Sequence, residues 1–404
     1  MNENYELENP DITPEETDDA PPSAEKLKKG IRFTRMLILL VMSVCAIVIL
    51  FINKDKINLD NFKRLAAKID LGISATDEVD GAVIDFDYNA GGKVDVYKDG
   101  IVRVTDDNLV ILDNIGTQFQ SVLTGYSNPQ LITGARYVCA YDRGGKRLMV
   151  AESFDVVFER TFKDNIVDVS MNDSGCLVVV TESEAYKNHV IVFDSSFKEV
   201  YKVNSLTRYV VTADISPDGK RIVLSSLYSK GDKMLPQLNC YEISKKDMLW
   251  SCELSDSIAV NVCIKEDGST LALFEWGVCI LDKDGKEKYR HELGDSILQQ
   301  YAFDDGKYNA LVTSASHGGV SLLTVFDNNG KKQSETQLDF AVISADIHSD
   351  RVALLSSSEV CVYTKNGKCV SKRDTGGTET YVLFQDSDSV VTVSASHAVH
   401  NIMK

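Results

Sequence analysis

The sequence predicts an all-β fold, a β-propeller of four-stranded blades, set behind one membrane-spanning helix. Three observations carry this reading. A strand–turn–strand stretch, "ADISPDGKRIVLSS" at residues 213–226, recurs along the chain. A second set of Asp/Asn/Gly turns alternates with it. An uncharged apolar run, "MLILLVMSVCAIVILFI" (Met36–Ile52), precedes both.

The N-terminal segment comes first. Residues 1–25 are acidic, contain several Pro and lack Lys and Arg. Such a composition buries too little apolar surface to fold, so residues 1–31 are expected to form a disordered cytoplasmic tail. Met36–Ile52, extended by Phe33 and Thr34, has the length a helix needs to cross about 30 Å of hydrocarbon. Lys26, Lys28, Lys29, Arg32 and Arg35 flank it on one side, against Lys54 and Lys56 on the other. The positive-inside bias then places the N-terminus in the cytoplasm and the rest of the chain outside. Val44 precedes Cys45 where a lipobox would have a small residue, and no A-x-A-like site follows. Residues 32–53 therefore read as an uncleaved signal anchor. In residues 54–81, Ile57, Phe62, Leu65, Ala66 and Ile69 fall near one helical face and Gly72 marks a stop, which predicts a helical stalk.

From residue 82 to 404 the pattern changes. Short runs of Val, Ile, Leu, Tyr and Phe alternate with turn residues. First-to-second-strand turns begin at Lys98, Thr133, Asn172, Ser216, Lys265, Asp304, His348 and Asp386. Their spacing of about 35 to 50 residues is the period of a propeller blade. Third-to-fourth-strand turns begin at Asp113, Glu152, Asp194, Ser244, Asp282, Asp327 and Thr364. Asp and Asn accept local backbone hydrogen bonds there, and Gly supplies positive φ. There are eight turns of the first kind and seven of the second, so the last blade lacks its outer strand. "AVIDFDY" at residues 82–88 can supply it, closing the ring by pairing the N- and C-terminal strands and leaving no open sheet edge. This gives eight blades. Residues 129–162 carry the weakest pattern, and without them the count is seven.

"SPDGKRIVLSS" resembles the blade motif of WD40-like and TolB-like repeats. The whole plan is similar to uncharacterised single-pass membrane propellers of Gram-positive anaerobes, grouped with the quinoprotein-like (PQQ-like) superfamily. The resemblance covers about 80 % of the chain and implies a fold more than an activity, because propellers host many unrelated functions. Quinoprotein dehydrogenases of that superfamily carry a Trp motif in nearly every blade. Here only Trp250 and Trp276 exist, so no quinone cofactor is expected.

Other chemistries leave little trace. The formal net charge of −17 and the absence of a basic stripe speak against nucleic acid. G-x-S-x-G, H-E-x-x-H and P-loop patterns are absent. The nine Cys show no C-x-x-C or zinc-type spacing. Cys240 and Cys252 flank a hairpin centre and could face each other across it, as a disulfide or as two small apolar residues. His397 and His400 lie three apart, which in a strand aims their rings at opposite faces, so no metal is expected there. Asp168, Asp214, Asn261 and Asp346 occupy similar places on the predicted innermost strands. They could converge into a polar ring in the central channel, or each could cap its own turn or bind a neighbouring blade's backbone.

Loop length gives the functional clue. Loops joining second and third strands share one face with the links between blades. Most are tight, but residues 182–189, 226–237 and 314–321 are longer. Insertions on one face mark a binding side. Tyr186, Lys187, Tyr228, Lys230, Lys233, Met234 and His317 place amphipathic rings, positive charge and a thioether there. The expected function is a non-catalytic, membrane-anchored extracytoplasmic scaffold recognising an envelope protein or glycan, without a cofactor. An envelope carbohydrate hydrolase or lyase using channel carboxylates is the first alternative, with Asp168 and Asp214 as its pair. A transmembrane sensor is the second.

Overall fold

A computed structural model of the chain describes residues 32–45, 59–70, 80–86, 92–245, 247–253, 257–303, 306–316 and 319–403. The chain divides into two units, residues 1–62 and 63–404. In the first, residues 32–45 form helix α1, with side chains exposed all round. Ser43 Oγ, its polar member within the apolar run, donates to the Leu39 carbonyl at 2.8 Å. Among the described residues no helix is long and apolar enough to cross a membrane. The remainder of the apolar run, residues 46–52, lies outside the described residues, as does the predicted tail. Helix α2 (Leu59–Asp70) spans the division between the units.

The second unit carries eight four-stranded antiparallel sheets. Seven are consecutive meanders. They run from β2 (Lys93–Tyr97) to β5 (Gln118–Leu123), β6 (Pro129–Thr133) to β9 (Val156–Thr161), and β10 (Ile166–Met171) to β13 (Glu199–Ser205). Next come β14 (Arg208–Ile215) to β17 (Asp247–Cys252) and β18 (Asn261–Ile264) to β21 (Glu287–Glu292). Then follow β22 (Ile297–Phe303) to β25 (Lys332–Gln337) and β26 (Ser344–His348) to β29 (Cys369–Asp374). The eighth sheet has the order β1–β32–β31–β30, built from β30 (Glu379–Asp386), β31 (Ser389–Ser394), β32 (His397–Ile402) and β1 (Val83–Asp85). Val83 pairs with Val399 and Asp85 with His397, so the N-terminal strand completes the last blade. The count is eight, and residues 129–161 form a full blade like the others.

Burial explains the strand composition. Second strands such as β3 (Gly100–Val104), β7 (Val138–Asp142) and β19 (Thr270–Phe274) are buried at every position, because neighbouring blades cover both faces. Outer strands such as β5 and β29 alternate half-buried and exposed positions. The core is a set of seams. Eight apolar clusters each join residues of two adjacent blades, so every junction of the ring has one. The closing seam packs Ile84, Val391, Val393 and Ala398 against Ile101 and Leu112 of the first blade.

Two expectations need correction. Residues 226–237 are not a loop: β15 (Arg221–Lys230) and β16 (Lys233–Glu242) continue through them as a regular ladder, with Tyr228 opposite Leu235 and Lys230 opposite Lys233. Ser, Lys, Gly, Asp and Pro in that stretch suggest a loop, yet only Gly231 and Asp232 are needed for the turn, Gly231 at φ +61°. Cys240 and Cys252 do not oppose each other either. Cys240 pairs with Trp250 and Leu238 with Cys252, so of the two readings the disulfide falls and that of two separate small apolar residues stands.

Candidate functional site

Edge strands leave backbone N–H groups without ladder partners, and the innermost strand of each blade is such an edge. The recurring acidic position answers that need. Asp168 Oδ2 accepts from the Ala213 N–H at 3.1 Å, Asp214 Oδ2 from Ile264 at 2.7 Å and Asp346 Oδ2 from Phe384 at 2.7 Å. Asn261 Nδ2 donates to the Tyr301 hydroxyl at 3.3 Å. In each case the partner is the innermost strand of the next blade. Asp95, in the corresponding place on β2, accepts from Thr133 Oγ1 at 2.5 Å and extends the series.

Burial in these seams pushes the carboxyls of Asp95 and Asp168 up, and that of Asp214 to about 6. For Asp214, desolvation outweighs the Ser170 hydroxyl (2.6 Å) and the Ile264 N–H, both of which favour the charged form. A carboxyl near 6 has the acidity of a general acid, but here both oxygens are held by protein donors. Among the described residues no group of His, Cys, Asp and Glu is placed to hold a metal ion.

Side chains that stand ready to meet a ligand lie on the face carrying the second-to-third-strand loops. A cleft of about 680 Å³ opens there between β11 (Leu177–Glu182) and β12 (Asn188–Phe193) on one side and the start of β14 on the other. Tyr186 and Lys187 line it together with Tyr209, Asp164, Glu182 and Glu184. Lys187 Nζ donates to the Tyr209 hydroxyl at 2.5 Å and lies 4.5 Å from the centre of its ring. The Tyr186 ring packs edge-on against His189 at 5.4 Å. Asn188, buried beneath, fixes the loop: its Oδ1 accepts from the Val210 N–H at 2.8 Å and its Nδ2 donates to the Thr181 carbonyl at 3.1 Å.

The β15–β16 hairpin rises from the same face on the adjacent blade. Tyr228 carries the Arg208 guanidinium 4.9 Å from its ring centre, and Arg208 Nε donates to Gln237 Oε1 at 3.2 Å. Lys230, Lys233 and Met234 are exposed at its tip. His317 lies outside the described residues, between β23 (Tyr308–Ser314) and β24 (Ser321–Asp327) in the sequence. Sequence reading missed Tyr209, which hides in the strand-like "RYVVTAD"; its signal was the loop opposite. It also missed a scatter of exposed apolar groups on this face: Leu206, Val260, Val320 and Ile343, all in links or loops.

The family of unknown function DUF5711 matches residues 81–402, and the chain belongs to it. No curated protein matches by sequence. Among solved structures, the chain is similar to Saccharomyces cerevisiae Sqt1, with 8 % identity, TM-score 0.56, and coverage of 80 % of this chain and 100 % of that one. It is also similar to the C-terminal WD40 domain of Sif2, with 11 % identity, TM-score 0.55, and coverage of 80 % and 97 %. A eukaryotic initiation factor gives 14 % identity, TM-score 0.52, and coverage of 76 % and 83 %. These likenesses carry the propeller fold alone.

Proposed function

We propose that this propeller is a non-catalytic binding module, anchored in the cell membrane by residues 32–53 with its ring outside, and that its loop face recognises another protein of the envelope. The observation that carries the reading is the concentration of exposed Leu206, Tyr209, Met234, Val260, Val320 and Ile343 on the face that also holds the Tyr186–Lys187–Tyr209 cleft and the β15–β16 hairpin. Apolar and tyrosine side chains left in water on one face suit a partner that covers them. The seam carboxylates are occupied by backbone and hydroxyl donors, which disfavours the hydrolase or lyase alternative. A glycan ligand is a second reading, favoured by the cleft itself, where two tyrosine rings stand beside carboxylates.

Site-specific photo-crosslinking in intact cells tests both. A photoreactive residue at Tyr228 is expected to give a discrete protein adduct, and one at Asn108, the first residue of β4 (Asn108–Leu112) beside a tight loop of the same face, none. Adducts at both positions, or at neither, would count against the proposal.

A further inference from the structure

A second cleft, of about 780 Å³, opens on the opposite face, where the first-to-second and third-to-fourth-strand turns of the fourth and fifth blades meet. It is unusual in its charge. On a chain with 60 acidic and 43 basic residues, its lining includes Lys220, Arg221, Lys245, Lys265 and Lys283. Four carboxylates share the lining, but three are already engaged. Asp218 lies 3.4 Å from Lys220 Nζ, Glu242 lies 3.0 Å from Lys245 Nζ, and Asp267 accepts from the backbone and hydroxyl of Ser269 at 2.9 and 2.5 Å. Glu266 is exposed.

Arg221 and Lys283 make no salt bridge among the described residues. They come from different blades and converge on Gly268. A β-carbon at that glycine would stand 3.9 Å from Arg221 Nη1 and 3.7 Å from Lys283 Cβ. The Arg221 guanidinium and the base of the Lys283 side chain flank the same open turn, so two cations of the kind that bind an oxyanion reach this cleft, with Glu242 opposite Arg221 across the ladder. Gly268 holds φ +78°, so the turn keeps its shape without a side chain filling the space.

We infer that this cleft binds a phosphoryl anion, with Arg221 and Lys283 as its principal contacts. The group could arrive on a soluble phosphate-bearing polymer or on a lipid headgroup; the shared chemistry is a phosphate oxygen set between two cations. The site is independent of the loop-face reading, since the two clefts share no residue.

The test uses the full chain in detergent with inorganic tripolyphosphate as probe, followed by calorimetric titration at low and moderate salt. Saturable one-to-one binding is expected, weakened at least tenfold in the double variant R221Q/K283Q and weakened by added salt. The control variant K198Q/K202Q, at two exposed lysines of the third blade that line neither cleft, should bind as the parent does. Glycerol 3-phosphate and phosphatidylglycerol nanodiscs, added as competitors, separate the sources: displacement by the first alone points to a soluble ligand, displacement by the second alone to a lipid. Absence of saturable binding, or equal binding by R221Q/K283Q and the parent with an unchanged unfolding midpoint, overturns the inference.

Discussion

The Asp80 carboxylate grips the Arg373 guanidinium through both oxygens, tying a residue ahead of the first strand to β29 in the seventh blade. The Asp80 Oδ1 also accepts from the Ile402 N–H at 3.0 Å, and the Gly81 N–H donates to the His400 carbonyl at 2.8 Å. These contacts hold β1 in the eighth blade beside the short ladder itself. Asp80→Ala is expected to lower the thermal unfolding midpoint by about 1–3 °C, as befits a bidentate but largely exposed pair. Arg373, more than Ile402, holds the Asp80 carboxyl well below its usual range. Its contribution is therefore present above the unfolded value of 3.8 and lost only as pH falls through the lower folded value. The difference between parent and variant should stay constant from pH 8 to about 5. A difference that disappears in that interval would refute the assignment.

Gly330 occupies φ +76°, and a β-carbon there would lie 2.0 Å from the Tyr289 ring of the preceding blade. Gly285 stands in the same relation to Trp250, whose indole N–H donates to the Lys283 carbonyl at 3.2 Å. Gly330→Ala must both strain the turn and push the ring away. Its expected cost is about 2–3 kcal/mol, read from urea unfolding. A loss below about 0.5 kcal/mol would mean that the Tyr289 ring moves aside freely.

Asp214 gives a pH signature. Its folded pKa, about 6, exceeds the unfolded 3.8, so its contribution to stability is fully present below pH 4 and is lost as pH rises through 6. Relative to Asp214→Asn, the parent should lose on the order of 2 kcal/mol between pH 4 and pH 7.5. Parallel stability curves for the two proteins across that range would remove the seam from consideration.

In the loop-face cleft, Tyr186→Ala with Tyr209→Ala is expected to abolish the Tyr228 adduct in cells. The unfolding midpoint should shift by no more than about 2 °C, since neither side chain is buried in a core cluster. Retention of the adduct would place the partner elsewhere on the face.

The ring was legible because its turns are chemically marked: "SPDG" at 216 and "DKDG" at 282 fall between the strands they were expected to join. The closing strand was legible from arithmetic, since seven outer turns leave one strand wanting. The hairpin at 226–237 was not, because its length comes from cross-strand pairs such as Tyr228–Leu235 that only become visible once β15 and β16 face each other. The fate of Asp168 and Asp214 was half legible. Their recurrence marks one place in each blade, but strand periodicity assigns a face, and reaching the next blade's N–H depends on blade spacing. Tyr209 and the turn-face cations were obscured for the same reason: Arg221 and Lys283 are 62 positions apart by number and become neighbours only through Gly268.

Because β1 pairs with β32, closing the ring joins the two strands that lie furthest apart along the propeller's sequence. Until then the chain is an open arc with an unpaired edge at each end and an uncovered seam at Ile84 and Ile101. Completion of the circle is thus the pairing with the greatest sequence separation in the fold. Any truncation near Ile402 would leave an arc prone to pairing with other chains in place of a slightly shorter ring.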